Sequence, residues 1–461
     1  MTDPTYRRIA VLDIGKTNAK VVVIEAATGA EIASRRMPNR VLPGPPYPHY
    51  DVDGLWIFIL EALAAFAKHP GYDAVSITTH GASAVLLDAN GDLAMPALDY
   101  EHDYPAEIAA AYDAARPPFS ETCSPRLALG LNLGAQLHFL KTRFPDRFSA
   151  VRTIMTYPQY WAFRLTGVAA NEATSLGCHT DLWVSGEGRY SSLVDTLGIR
   201  ELMAPLRSAF DRLGDVRPEI ASQLGLARPL PVYCGIHDSN ASLLPHLVRR
   251  TAPFAVVSTG TWVISFAVGG ELTSLDPTRD TLANTSAYGQ PVPSARFMGG
   301  REFEILTADL GRPDPVLAEA AVEAVIARQV MVLPNVVEGS GPFPGRTMAW
   351  IGNPVDEAER YVAASLYIAL MSAACLDLLK ADGPVVVEGP FAQNAVYLKA
   401  LSSVTGRPVK VLKEGASTGT ADGAALLTGI AAPVTEEITI AGGYEIAAYA
   451  RAWREALQSG S

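Results

Sequence analysis

The sequence predicts an α/β protein of two domains built on one duplicated plan, and three observations predict it. The chain has 461 residues, enough for two or three domains at about 150 residues each. It is 49% hydrophobic and 18% charged, a balance that supports large buried cores and does not match a disordered chain. One local device, a strand, a polar glycine-containing turn and a second strand, occurs twice, about 245 residues apart.

The first copy spans 8–25. Ile9-Ala10-Val11-Leu12 runs into Asp13-Ile14-Gly15-Lys16-Thr17-Asn18, and Ala19-Lys20-Val21-Val22-Val23-Ile24 returns. β-Branched residues on both sides of a Gly/Thr/Asn turn signal a hairpin rather than a helix start. A third strand is expected over 31–37, a proline-rich loop over 43–48, and a helix over 53–68 with Asp53 as N-cap. Buried strands are expected over 73–79 and from Ala84 to Asp88, the latter turning at Asn90-Gly91. Residues 157–167 (YPQYWAFRLTG) read as helix. The second copy begins with Phe254-Ala255-Val256-Val257, turns through Ser258-Thr259-Gly260-Thr261-Trp262 and continues in Val263-Ile264-Ser265-Phe266. A long apolar-faced helix over 357–381, a short buried strand Val385-Val386-Val387 ended by Gly389, a strand at Val409-Lys410-Val411 and a helix emerging from 415–427 complete it.

Composition excludes several classes. With Lys+Arg 37 against Asp+Glu 48 the net charge is -11, which argues against a nucleic-acid partner, since such proteins carry a basic stripe. Cys123, Cys178, Cys234 and Cys375 are far apart with no CxxC spacing, so neither a zinc site nor a disulfide framework is expected, and reduced thiols fit a cytoplasmic protein. The N-terminal residues lack a signal-peptide apolar region, and the apolar run 316–337 is broken by Glu319, Glu323 and Arg328. A soluble protein with no membrane partner is expected. Neither GxxxxGK[ST] nor GxGxxG occurs, which speaks against a P-loop or a dinucleotide fold. One polar hairpin turn alone is an ordinary feature of a sheet. Two of them, each heading half of the chain, suggest paired turns whose backbone N–H groups and hydroxyls suit phosphate oxygens.

The motif 13–20 (DIGKTNAK), followed by 235–241 (GIHDSNA) and 258–262 (STGTW), resembles the FGGY carbohydrate kinases, members of the actin-like ATPase superfamily. The resemblance runs along nearly the whole chain and includes 157–167 and 171–183; over 11–39, 77–88 and 237–262 it is nearest to L-fuculokinases and L-rhamnulokinases. It implies a two-domain actin-like ATPase fold, a duplicated ribonuclease H-like α/β architecture with an interdomain cleft. The sugar-binding domain would span 1–246 and the nucleotide-binding domain 247–461.

The resemblance also implies roles. A sugar hydroxyl is a poor nucleophile, so phosphoryl transfer needs positioning, charge neutralisation and a proton acceptor. Asp238 matches the family's general base, although an Asp there also suits the N-cap of a helix over 239–244. His80, Gly81, His237, Asp238 and Ser239 match substrate-side positions; His80 stands where relatives often carry an aromatic residue. Asp13 matches the carboxylate that organises Mg²⁺, usually through water; read alone, it is also a normal strand-ending turn residue. Gly15, Lys16, Thr17 and Asn18, with Lys20 nearby, match one side of the ATP phosphate site, and Gly260 and Thr261 the other. Lys16 replaces the Thr or Ala of many relatives and suits either a phosphate contact or solvent. Gly389, Ala392 and Asn394 match the adenine segment, where Pro390 and Phe391 depart from the usual glycines. The closing segment 415–425 (GASTGTADGAA) matches a helix that approaches the nucleotide, and nothing is carried over for 298–303. The expected cofactors are ATP and Mg²⁺, the expected partner is a small sugar, and a homodimer is the expected assembly. Within the family the first-choice substrate is an L-6-deoxyketohexose, with other ketoses or polyols next. A nucleotide-switched binding protein is the reading from another class.

Overall fold

A computed structural model describes residues 6–311, 313–413 and 419–459. The chain forms two compact units. The first holds the described residues of Met1–Arg249, Ala283–Pro291 and Ser417–Val434; the second those of Arg250–Leu282, Val292–Ala416 and Thr435–Ser461.

In the first unit the strand Arg8–Ile14 lies inside its sheet, antiparallel to Asn18–Glu25 and parallel to Ala74–Thr79. Glu31–Pro38 forms one edge, while Pro231–Tyr233 and Arg212–Asp215 extend the other side. Ile9, Ala10, Val11 and Leu12 are all buried. A continuous apolar run is what a strand covered on both faces requires. The helix Val52–Lys68 covers one face. Its N-cap is Asp51, whose carboxylate accepts from the Gly54 N–H at 2.9 Å. Asp53 therefore belongs to the first turn, where its charge suits the helix dipole, and the expected cap moves two residues upstream. Helix Tyr157–Thr166 ends at Gly167 in the left-handed region, as expected for that segment.

The second unit repeats the plan. Phe254–Thr259 is antiparallel to Val263–Val268 and parallel to Val385–Glu388, with Pro291–Phe297 outside the hairpin and Val409–Leu412 and Glu437–Ile440 outside the parallel strand. The same strand order in both units bears out the expected duplication. The helix Glu357–Leu378, capped by Asp356, is long and apolar enough to cross a bilayer. The helix is the spine of this unit's core, buried along most of its length against Val257, Val385 and Leu401, and so needs all-round hydrophobicity without a membrane. All four cysteines are unpaired.

Candidate active site

The site in the first unit is assembled at the ends of three neighbouring strands. Arg8–Ile14 delivers Asp13 and the turn behind it. Ala74–Thr79 delivers His80 and Gly81. The short strand Ile236–His237, paired in parallel with Thr78 and Thr79, delivers His237 and starts the helix Asp238–Arg249.

Asp13 is half-buried, and its Oδ2 accepts a hydrogen bond from the Thr420 hydroxyl at 2.7 Å. Burial raises its pKa to about 6, Thr420 and Lys20 oppose this, and the charges of Asp238 and Glu31 add to it. The turn closes through Gly15, whose N–H donates to the Asn18 carbonyl at 2.9 Å, and Asn39 braces it by donating to the Gly15 carbonyl. Thr17 and Asn18 are exposed at its tip. Lys16 and Lys20 have protein partners. The Lys16 ammonium pairs with Asp99, lies 3.3 Å from Glu101 and sits over the rings of Tyr50 and Tyr100 at 5.1 and 4.6 Å. Lys20 pairs with Glu31 on the neighbouring edge strand Glu31–Pro38.

His80 is only 5% exposed and is surrounded by Tyr50, Tyr157 and Tyr100, with ring centroids 5.0, 5.1 and 5.7 Å away. Burial lowers its pKa to about 4, so the ring is neutral near pH 7. Nδ1 faces the Gly81 carbonyl at 2.9 Å and must donate; Nε2 is then an acceptor, and it is buried without a partner. Gly81 is needed for close approach: a Cβ there would lie 2.7 Å from Nε2 of His237.

Asp238 is 30% exposed at its side chain. Burial pushes its pKa up, but the His237 charge and hydrogen bond, the His80 ring and the Ser239 N–H outweigh this and hold the carboxylate below its usual range. Its Oδ1 accepts from the Ser239 backbone at 2.6 Å, meets the Ser239 hydroxyl at 3.3 Å and lies 3.1 Å from His237 Nε2. Among the described residues no hydrogen bond engages Oδ2. A carboxylate fixed through one oxygen, charged at neutral pH and open on the other has the form of a proton acceptor.

The second unit carries a separate cavity of about 560 Å³, bounded by Gly260, Thr261, Pro390, Phe391 and Asn394 together with Phe303 and Tyr361. Gly389 turns the chain into it with φ +80°, and a Cβ there would fall 1.9 Å from the Thr259 carbonyl oxygen. The Thr259 hydroxyl accepts from the Phe391 N–H at 3.1 Å, tying the hairpin to this segment. Asn394 caps the helix Ala395–Thr405 through Oδ1 and donates to the Ser365 hydroxyl at 3.0 Å. Ala392 packs against the hydrophobic core. Three aromatic rings in the lining give flat apolar surfaces suited to a planar heterocycle.

Magnesium fits the donor set in one form only. Among the described residues no group of three or more His, Cys, Asp or Glu side chains could cage a metal. The buried Asp13 carboxylate, with the acidic Asp238 and Glu31 raising its pKa, would gain from a cation held mostly by water and phosphate.

The sequence reading places Tyr50 in a substrate-side loop and 99–103 near a pocket segment, but gives no role to Asp99, Thr420 or Asn240 and does not show the three tyrosines gathered around His80. Tyr157 belongs as well to the hydrophobic core, with Tyr160 and Trp161. Phe303, on the helix Gly299–Leu306, was left without a role and lines the cavity. Of the closing segment, 415–418 lies outside the described residues; the helix Thr420–Leu426 packs against the first unit's sheet.

The family model described as FGGY family of carbohydrate kinases, N-terminal domain, matches residues 8–245, and that described as carbohydrate kinase FGGY, C-terminal domain, matches 251–437. The chain is 24% identical over 272 residues to the L-fuculokinase of Haemophilus influenzae, covering 56% of this chain and 57% of that one. It is 25% identical over 283 residues to the L-xylulose/3-keto-L-gulonate kinase of Escherichia coli, covering 59% and 55%. The chain thus spans little over half the length of these curated relatives. It is 36% identical to a carbohydrate kinase from Novosphingobium aromaticivorans of known structure, with a TM-score of 0.92 over 99% of this chain and all of that one.

Proposed function

The chain belongs to the FGGY family of carbohydrate kinases, and from that premise we propose that it transfers the γ-phosphate of ATP to a hydroxyl of a ketose. The single observation that carries this reading is Asp238, held ionised beside His237 with Oδ2 free of hydrogen bonds among the described residues. In this reading Oδ2 takes the proton of the acceptor hydroxyl as the hydroxyl oxygen bonds to the γ-phosphorus and the bond from that phosphorus to the β,γ-bridging oxygen breaks, releasing ADP. Charge on Oδ1 stays anchored by Ser239 and His237, so the base is oriented before the substrate arrives. His80 Nε2, an acceptor with no hydrogen-bond partner among the described residues, would receive a second sugar hydroxyl, and the partly exposed Tyr100 ring would pack on a C–H face of the sugar.

On the phosphate side, Gly15, Thr17 and Asn18 and, in the other hairpin, Gly260 and Thr261 would supply backbone and hydroxyl donors. Asp13 would hold Mg²⁺ through water; the ion, when bound, neutralises charge on the phosphate oxygens. The lysines act more indirectly, since Lys16 joins the turn to Asp99 on the sugar side and Lys20 braces the hairpin. The aromatic cavity near Phe391 would take the adenine. This reading places the sugar chemistry in a domain spanning 1–246 and the base site in one spanning 247–461.

The first-choice acceptor is an L-6-deoxyketohexose, L-fuculose or L-rhamnulose, supported by the similarity to an L-fuculokinase. A ketopentose such as L-xylulose is the alternative, supported by the similarity to a kinase whose name carries that sugar. A coupled ADP assay with Mg·ATP and a panel of L-fuculose, L-rhamnulose, L-xylulose, other ketoses and alditols tests both. Turnover with no member of the panel would overturn the kinase reading.

A further inference from the structure

Behind the Asp238 carboxylate, three side chains stand in series. On one side of the His237 ring, Nε2 lies 3.1 Å from Oδ1 of Asp238; on the other, Nδ1 lies 3.3 Å from the Asn240 amide nitrogen. His237 is 4% exposed and Asn240 fully buried. Asp238 and Asn240 are two positions apart on one helix, so their side chains diverge and do not face each other. Among the described residues the imidazole joins the two. The Thr174 hydroxyl accepts the His237 backbone N–H at 3.1 Å, a Cβ on Gly81 would lie 2.7 Å from Nε2, and the Cys178 thiol is a further hydrogen-bond partner of the ring.

We infer that Asn240 is a positioning residue for phosphoryl transfer: it braces His237 through Nδ1 so that Nε2–H holds Oδ1 of Asp238 and leaves Oδ2 to the acceptor hydroxyl. The inference rests on the reading of Asp238 as the base.

An amide is suited to this place because it can present either end. Its NH₂ donates to an Nδ1 lone pair when the ring is neutral; after a half-turn its carbonyl accepts from Nδ1–H when the ring is charged. Nε2 stays protonated in both states, and the grip on Asp238 persists. The structure shows the second end waiting: Oδ1 of Asn240 is buried and has no hydrogen-bond partner. The ring's surroundings make the charged state accessible. Burial opposes it, but Cys178, after the helix Ala173–Leu176, and Asp238 hold the His237 pKa well above its usual value. Glu172 on the strand before that helix and His80 also act on the pair, and Asp13 and Tyr100 are coupled to Asp238.

The test uses the full chain, Mg·ATP and the best ketose among L-fuculose, L-rhamnulose and L-xylulose. Asn240→Leu removes both hydrogen-bonding ends. It should lower kcat about a hundredfold, the scale of a small misplacement of a reacting group, leave ADP binding unchanged and shift the ¹⁵N signals of the His237 ring. Asn240→Asp keeps the shape with acceptors only; it should raise the His237 midpoint further, read by ¹⁵N titration of the ring, and lower kcat about tenfold. If the leucine variant does not fold, the aspartate variant carries the test. A kcat within threefold of the parent enzyme, or a loss of kcat with unchanged His237 ¹⁵N signals, would overturn the inference. Asp238→Asn, run in parallel, separates the two readings: an active Asp238→Asn enzyme removes the base, whereas an inactive one beside a fully active Asn240→Leu enzyme removes only the brace.

Discussion

Thr420 and Asp13 are 407 positions apart in the chain, and the threonine hydroxyl donates to the aspartate at 2.7 Å. This bond works against burial, which raises the Asp13 pKa to about 6. Removing it with Thr420→Val should raise the Asp13 midpoint above 6, read by NMR titration of the side-chain carboxyl, and lower stability by about 1 kcal/mol. An unmoved midpoint would show that the hydroxyl does not bear on the carboxylate.

Asp13 should also show in the pH dependence of folding. Its folded-state pKa of about 6 lies above the ordinary 3.8, so the folded protein binds this proton more tightly than the unfolded chain. The associated stability is fully present below pH about 4 and is lost as pH rises through 6. Asp13→Asn abolishes that loss. In urea melts without nucleotide or magnesium, the variant's stability relative to the parent should grow between pH 4 and 7, by at most about 3 kcal/mol. A difference that stays flat would mean that Asp13 titrates normally.

Asp238→Asn should lower kcat about a thousandfold, within the range attributed to a positioned base, while ADP affinity stays at the parent value. Retained turnover with the best ketose would remove Asp238 from the reaction.

Gly81→Ala places a Cβ 2.7 Å from Nε2 and 2.9 Å from Cδ2 of His237. The ring is braced on its far side by Asn240 and cannot retreat freely. The expected outcome is a stability loss of about 1–3 kcal/mol, as for other overpacked sites, with kcat falling more than the KM for ATP rises. Equal effects on both parameters would point to general disruption.

Phe391 is buried between the rings of Phe303 and Tyr397, at 5.1 and 5.2 Å. Phe391→Ala should cost about 3–5 kcal/mol of stability and raise the KM for ATP with the KM for sugar unchanged. A rise confined to the sugar KM would contradict the nucleotide reading of that cavity.

Much of this was legible in local pattern. The hairpins at Asp13–Asn18 and Ser258–Thr261 declare themselves because β-branched strands and a Gly/Thr turn act over a few residues, and both are present. Asp238 was identifiable through its motif, although a helix-start aspartate read alone has two equally ordinary uses. Other features were not legible. Asp51 rather than Asp53 caps the first long helix, since either carboxylate satisfies the local rule and only the incoming loop chooses. Lys16 meets Asp99 across 83 positions, and nothing in the turn itself encodes that encounter.

The sequence by itself determined two repeated α/β plans, the polar turns heading them and the family of chemistry, because periodicity, turn residues and motif spacing are written over short stretches of chain. Tertiary structure alone decided which charges are spent and which are open. It pairs Lys16 and Lys20 with carboxylates, leaves His80 Nε2 and one oxygen of Asp238 unengaged among the described residues, and sets Asn240 behind His237. The physical reason is that a side chain's protonation and hydrogen bonding depend on desolvation and on neighbours brought together by strand register and helix packing, often from positions far apart in the chain.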